Sequence, residues 1–174
     1  MPSSQAIHII TQRLSMRQIT QDDWPLFYEL HTDPAVIDLC FDAPDKASLL
    51  EKFKARLAPW SSHHQQWLSL VITERKTGEV LGITGFCLKE GVAEVGYLLR
   101  ASAHGQGVGT ESLQAVIDWA KSDFGVKQFK AVVTEGNIAS ERVLEKCGFT
   151  LLQTIADAYQ IGDTLYADRL YQMG

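Results

Sequence analysis

The sequence is short of cysteine, proline and long apolar runs. It has three cysteines and five prolines in 174 residues. Cys40, Cys87 and Cys147 are widely spaced and odd in number, and neither a CxxC pair nor a Cys/His ligand spacing occurs. Neither a disulfide framework nor a metal site is indicated, and the cysteines read as buried free thiols. No stretch approaches the roughly 20 apolar residues that span a bilayer. The opening MPSSQAIHII lacks the basic region and apolar core of a signal peptide. No membrane partner is expected, and a cytoplasmic location is. Positive charge is also scarce. Sixteen Lys and Arg against 21 Asp and Glu leave a formal charge of −5, which argues against nucleic acid as a partner.

What is present is an ordinary globular composition, 45% hydrophobic and 21% charged, in a length that suits a single domain over residues 1–174. Residues 11–19, TQRLSMRQI, alternate as a strand does, with Leu14 and Met16 on one side and Arg13, Ser15 and Arg17 on the other. Thr20 and Asp23 form the start of a capped helix that carries Trp24, Phe27, Tyr28 and Leu30. Asp33-Pro34 opens a shorter helical segment, and residues 45–57 place Leu49, Leu50, Phe53 and Leu57 on one helical face. The polar stretch PWSSHHQQ (59–66), with His63 and His64, reads as a solvated loop.

Strands at 67–73, 80–88 and 93–99, joined by short turns, predict an antiparallel meander. A helix over 110–124 ends at Gly125, and a strand at 128–134 then lies parallel to the last meander strand. Asn137 caps a second helix that runs to Cys147, and two final strands turn around Gly162. The pattern is a mixed α/β (α+β) domain, with about six to seven strands in a central sheet and about four flanking helices. The edge strands of the last hairpin are compatible with a homodimer.

The chain turns on residues 97–111, YLLRASAHGQGVGTE. A strand ends at Leu99, three glycines fall at alternate positions (Gly105, Gly107, Gly109), and a helix begins. That order builds a nest of backbone N–H groups at the positive end of a helix, which suits a phosphate. The turn lacks the Lys-Ser/Thr pair of a P-loop and the spacing and position of a Rossmann turn. Glycines that only relieve a tight strand-to-helix turn are the plainer alternative.

A second stretch, NIASERVLEKCGF (137–149), joins the first in resembling the GNAT acyltransferase superfamily, and within it the RimJ/RimL branch that acetylates N-terminal amines of ribosomal proteins. His104, Gly105, Gln106, Gly107, Val108 and Gly109 occupy the family's cofactor turn, with His104 where Gln, Arg or Trp is usual. Asn137, Ser140, Glu145, Lys146, Gly148 and Phe149 match the branch's second motif. TQRLSMRQIT and EVGYLL resemble the branch as well, so the likeness runs along nearly the whole chain.

The resemblance implies the GNAT acyl-CoA N-acyltransferase fold and direct acetyl transfer from acetyl-CoA to a primary amine, either a protein N-terminus or a small molecule. It implies that the cofactor's pantetheine arm inserts between the third meander strand and the strand after the helix. Backbone at Tyr97, Leu98 and Leu99 would then hold the arm and polarise the thioester, while residues from His104 to Thr110 cradle the pyrophosphate. Asn137 is expected to bind the arm, Ser140 to protonate the leaving sulfur, and Glu94 to act as base. A GNAT fold that senses acyl-CoA or docks a partner without turnover is the alternative. Trp24, Phe27, Tyr28, Trp60 and Trp67 are groove or core candidates, and Asp157, Tyr159 and Asp163 are candidates to meet a cationic amine.

Overall fold

Alternation in the first strand does what the pattern predicts: Leu14 and Met16 are buried while Arg17 is exposed. In the computed structural model, which describes residues 6–63 and 65–174, eight strands form one sheet. They are β1 (His8–Ile10), β2 (Leu14–Gln18), β3 (Leu68–Glu74), β4 (Val80–Lys89), β5 (Val92–Leu99), β6 (Gln128–Thr134), β7 (Thr150–Ile161) and β8 (Thr164–Met173). Spatial order is β1-β2-β3-β4-β5-β6-β8-β7, and β5–β6 is the parallel pair in an otherwise antiparallel sheet. The helices are α1 (Trp24–Thr32), α2 (Pro34–Ile37), α3 (Lys46–Leu57), α4 (Val108–Phe124) and α5 (Ile138–Lys146).

The sheet has one strand more than expected. β1 pairs antiparallel with β2 (His8 opposite Arg17), returning through a turn in which Thr11 N–H donates to the Leu14 carbonyl at 2.9 Å. Three residues are too few to display a strand's period, so the sequence pattern hides β1. The segment 11–13, expected as strand, is that turn.

Two cores sandwich the sheet. On one face Met16, Leu70, Phe86 and Phe129 pack against Val116 and Ile117 of α4 and Leu144 of α5. On the other, Val71 and Ile83 meet Phe27, Leu30, Leu49 and Phe53 from α1 and α3. Each such side chain contributes about 1.5–3 kcal/mol on burial. Arg17 grips the buried Asp23 through both Nη atoms (2.8 and 2.9 Å), and Thr20 N–H donates to the same carboxylate at 2.7 Å, which fixes the entry to α1. Arg100 joins Glu29 of α1 at 2.7 Å to the end of β5.

Beyond β6 the helical cover stops. β7 is exposed along nearly its whole length, with Leu152 58% and Leu165 of β8 54% exposed. The aromatic candidates divide. Trp24 and Phe27 pack with Phe53, and Trp60 packs with Phe86, Trp119 and Phe124. Of the three cysteines only Cys147 is buried; Cys40 and Cys87 are half-buried, which corrects the expectation that all three are interior thiols. Cys40 lies beside the cleft that opens between β5 and β6, and Cys87 Sγ donates to the Gln65 carbonyl at 3.3 Å. His63 is exposed, and His64 lies outside the described residues. Among the described residues no helix is long and apolar enough to cross a membrane.

Candidate active site

The site is where two strands part. β5 and β6 pair at Val92–Gln128, Ala93–Phe129 and Glu94–Lys130, and then separate. Arg100 N–H donates to the Leu81 carbonyl at 2.8 Å, which sets the antiparallel alternation along β5. By that alternation Val95, Tyr97 and Leu99 turn their backbone N–H toward the side that β6 has left. Ladder donors are thereby left for a ligand.

Two cavities of about 310 Å³ each open at this divergence. The first runs between the strands, lined by Gly96 and Leu98 on β5, Ala131 to Thr134 on β6, and His31, Arg56 and Trp67 from the other side of the sheet. The second is lined by His104, Gly105, Gly107, Val108, Gly109 and Thr110, faced by Arg142 and Lys146 of α5. Cys40, Tyr97, Leu98, Asn137 and Ser140 line both. These five residues are the junction.

The glycine turn has a backbone geometry that suits an anion. Gly107 caps α4 at φ 78°, in the left-handed region that favours glycine. Gly109 serves close packing instead: a Cβ there would lie 3.2 Å from Val143 Cγ2. The first intrahelical bond is Glu111 N–H to the Gly107 carbonyl at 3.0 Å, so the N–H groups of Val108, Gly109 and Thr110 precede it unpaired within the helix. The helix accordingly begins two residues before Thr110.

His104 ties the turn to β5 by donating from Nε2 to the Leu99 carbonyl at 3.0 Å. Gln106 does not line the cavity; its side chain donates to the Ser102 carbonyl at 2.7 Å, and its own carbonyl accepts from Arg13 Nη1 at 3.0 Å. Arg13 also pairs with Glu111 (2.7 Å), and Thr11 donates to the same carboxylate at 2.6 Å. Burial alone would raise the Glu111 pKa, but hydrogen bonds from Thr11 and Arg13 and the Arg13 charge hold it below the usual range.

At the junction Asn137 caps α5, accepting from Ser140 N–H at 3.3 Å, and its amide reaches the Leu39 carbonyl at 3.5 Å. Tyr171 and Arg169 of β8 anchor α5 through Glu141, the tyrosine hydroxyl donating at 2.6 Å. Tyr97 Oη is buried with no hydrogen-bond partner. Burial pushes its pKa up to about 12, and the nearby Ser140 hydroxyl pulls the other way without forming a well-made bond. An orphaned phenol of this kind costs about 1–3 kcal/mol unless a ligand meets it.

Glu94 stands apart. It sits at the still-paired end of β5, its carboxylate 3.8 Å from Lys130, and it lines neither cavity. Asp157, Tyr159 and Asp163 also line neither; Asp157 occupies a bulge of β7 at φ 52°.

The sequence reading missed His31, Arg56, Arg142 and Lys146 as site residues. The last two had a signal, an i, i+4 cation pair on the helix facing the turn. His31 donates from Nδ1 to the Phe27 carbonyl at 2.7 Å, which leaves Nε2 with the lone pair. Burial pushes its pKa down to about 4, so the ring is neutral.

Comparison with known proteins agrees with this geometry. Residues 13–150 match the acetyltransferase (GNAT) domain family. A Bacillus subtilis (strain 168) protein, YkkB, described as uncharacterized, is 29% identical over 155 residues, covering 84% of this chain and 87% of that protein. The acetyl transferase of Salmonella typhimurium that modifies the N-terminal serine of ribosomal protein L7/L12 superposes with a TM-score of 0.81 at 18% identity, over 95% of this chain and 98% of that one. Spermidine N-acetyltransferase from Vibrio cholerae, solved with CoA and spermine, gives 0.81 at 13% identity, over 94% and 96%. At such identities the structural likeness is one of fold, the mixed eight-stranded sheet with its parted parallel pair. On the match of its family over residues 13–150, this chain belongs to the GNAT acetyltransferases.

Proposed function

We propose that the protein transfers the acetyl group of acetyl-CoA directly to a primary amine. The observation that carries this reading is the continuity of the two cavities through Cys40, Tyr97, Leu98, Asn137 and Ser140. A cofactor whose phosphates rest on the glycine turn would reach the acceptor cavity through that junction.

Each part has a chemical task. The N–H groups of Val108, Gly109 and Thr110, with Arg142 and Lys146, hold phosphate charge. The backbone N–H groups of Tyr97 and Leu99 bind the pantetheine arm and the developing oxyanion. Ser140, with the Tyr97 phenol beside it, gives the departing sulfur its proton as the C–S bond breaks and the C–N bond completes, and is reprotonated by the proton that the acetylated nitrogen sheds. Asn137 keeps α5, and hence Ser140, in register.

The acceptor cavity contains no lining carboxylate among the described residues and does contain Arg56, so it disfavours an ammonium group. The amine is therefore taken up neutral. A base role for Glu94 would run through water from beyond the cavity.

Free-thiol release from acetyl-CoA over a panel of amines tests the reading. Turnover with at least one amine class supports it. Binding of acetyl-CoA without release on any amine would instead indicate a sensing module.

A further inference from the structure

The acceptor cavity holds a cation that the transfer reaction does not use. Arg56, on α3, bears the one fixed charge among the side chains lining it. Its guanidinium is held between aromatic rings, Cζ lying 5.3 Å from the centroid of Phe27 and 5.7 Å from that of Trp67. Nη1 makes one long bond, donating to Ser69 Oγ at 3.4 Å. Among the described residues it forms no ion pair, and Glu94, on the same face of the sheet, is engaged with Lys130. Burial pulls the Arg56 pKa down to about 10, which leaves it charged at neutral pH.

A guanidinium presents five donors in a planar fork, and desolvating it without an anion is unfavourable. Aromatic faces offset part of that cost but accept none of the N–H bonds. The missing partner is an oxyacid group supplied from outside.

Resting on the amine-acetylation reading above, we propose that Arg56, with Ser69, binds a carboxylate or comparable oxyacid group of the acceptor, making the substrate a compact amino acid. Size agrees: about 310 Å³ must also admit the end of the pantetheine arm, leaving room for a molecule of amino-acid dimensions. Leu39, Phe41, Trp67 and Val132 in the lining favour an apolar side chain. A polyamine brings only positive charge, and it would face Arg56 with no lining carboxylate to hold it. A peptide N-terminus carries an amide where the oxyacid is needed.

The test is thiol release with L-amino acids, their carboxamides, aminoalkylphosphonates and spermidine. Wild-type kcat/KM should favour each reactive acid over its amide by at least about 30-fold, the scale of charge-assisted hydrogen bonds. Arg56→Gln should collapse that ratio to within about threefold, while the acetyl-CoA KM and thermal shift stay unchanged and Arg56→Lys recovers part of the preference. Phosphonates that outrun carboxylates would assign the subsite to a tetrahedral oxyacid. Amides or spermidine outrunning the acids, or a ratio that survives Arg56→Gln, would overturn the assignment. If acetyl-CoA binds but no amine reacts, the amine-acetylation reading fails by itself. Titrating the same acids and amides into CoA-saturated protein then decides Arg56: tighter binding of acids, lost in Arg56→Gln, supports the subsite, and equal binding overturns it.

Discussion

The two halves of the cleft are built in opposite ways. The cofactor half is made of backbone, with N–H groups from one continuous turn and two lysine/arginine side chains from the helix that faces it. The half proposed to take the acceptor is lined by side chains gathered from α1, α3, β3, β5 and β6, segments far apart in the chain. Backbone recognition needs a particular conformation and tolerates many side chains. Side-chain recognition depends on which residue sits at each of several unrelated positions. The first half suits a ligand common to a whole family, and the second suits a substrate particular to one member.

Breaking the cofactor half at its backbone should have the largest effect. A β-branched residue at Gly107 must adopt φ near 78°, at roughly 1–2 kcal/mol, and its Cβ meets Arg13 Nη2 at 3.3 Å. Gly107→Val should weaken acetyl-CoA binding more than about tenfold, read by calorimetry, and abolish the thermal shift. Removing the junction's proton donors comes next. Ser140→Ala should lower kcat by about 10- to 100-fold with little change in the acetyl-CoA KM.

Tyr97→Phe separates the halves more sharply. It deletes a buried hydroxyl with no partner, so the free protein should melt higher, by the equivalent of about 1 kcal/mol, while turnover falls. A drop in both would mean that Tyr97 Oη is already satisfied in the free protein. Arg142→Ala with Lys146→Ala should raise the acetyl-CoA KM by about 3- to 30-fold, flatten its salt dependence and spare kcat. The smallest effect is expected at Glu94: Glu94→Gln should keep turnover within about threefold across pH, since the carboxylate lies outside the cavity. A large loss that shrinks as pH rises and the amine deprotonates unaided would restore it as a water-linked base.

Stability outside the cleft has its own pH signature. Burial would raise the Asp23 pKa, but hydrogen bonds from Arg17 and Thr20 and the Arg17 charge together lower it. A depressed carboxylate stabilises the fold above its unfolded value of about 4 and loses that contribution as pH falls through the folded value. Wild type should therefore lose stability on acidification below about pH 4 more steeply than Asp23→Asn.

The same contrast explains how far the sequence could be read. Periodicity and caps disclosed the meander, the parallel crossover and the capping at Thr20 and Asn137, because those signals are local. Three-residue β1 carries too little pattern to show. In the site, Gly105, Gly107 to Thr110, Asn137 and Ser140 could be singled out because each motif is contiguous, and they line the cavities, while Gln106 of the same motif turns away. His31 and Arg56 could not be, since nothing local says that a histidine on α1 and an arginine on α3 will line one cavity with Trp67. Glu94, which lines neither cavity, shows the limit of local reading in another way. It opens the strand that leads to the cofactor, but where β5 and β6 part is a property of pairing, and Glu94 falls on the closed side of that point.

The central claim, that the parting of β5 and β6 is where cofactor and acceptor meet, is tested most directly by amide hydrogen exchange with and without saturating acetyl-CoA. The account predicts new protection at Tyr97, Leu99 and Val108 to Thr110, and none in β7. Protection absent from those amides, or confined to the C-terminal hairpin, would contradict it.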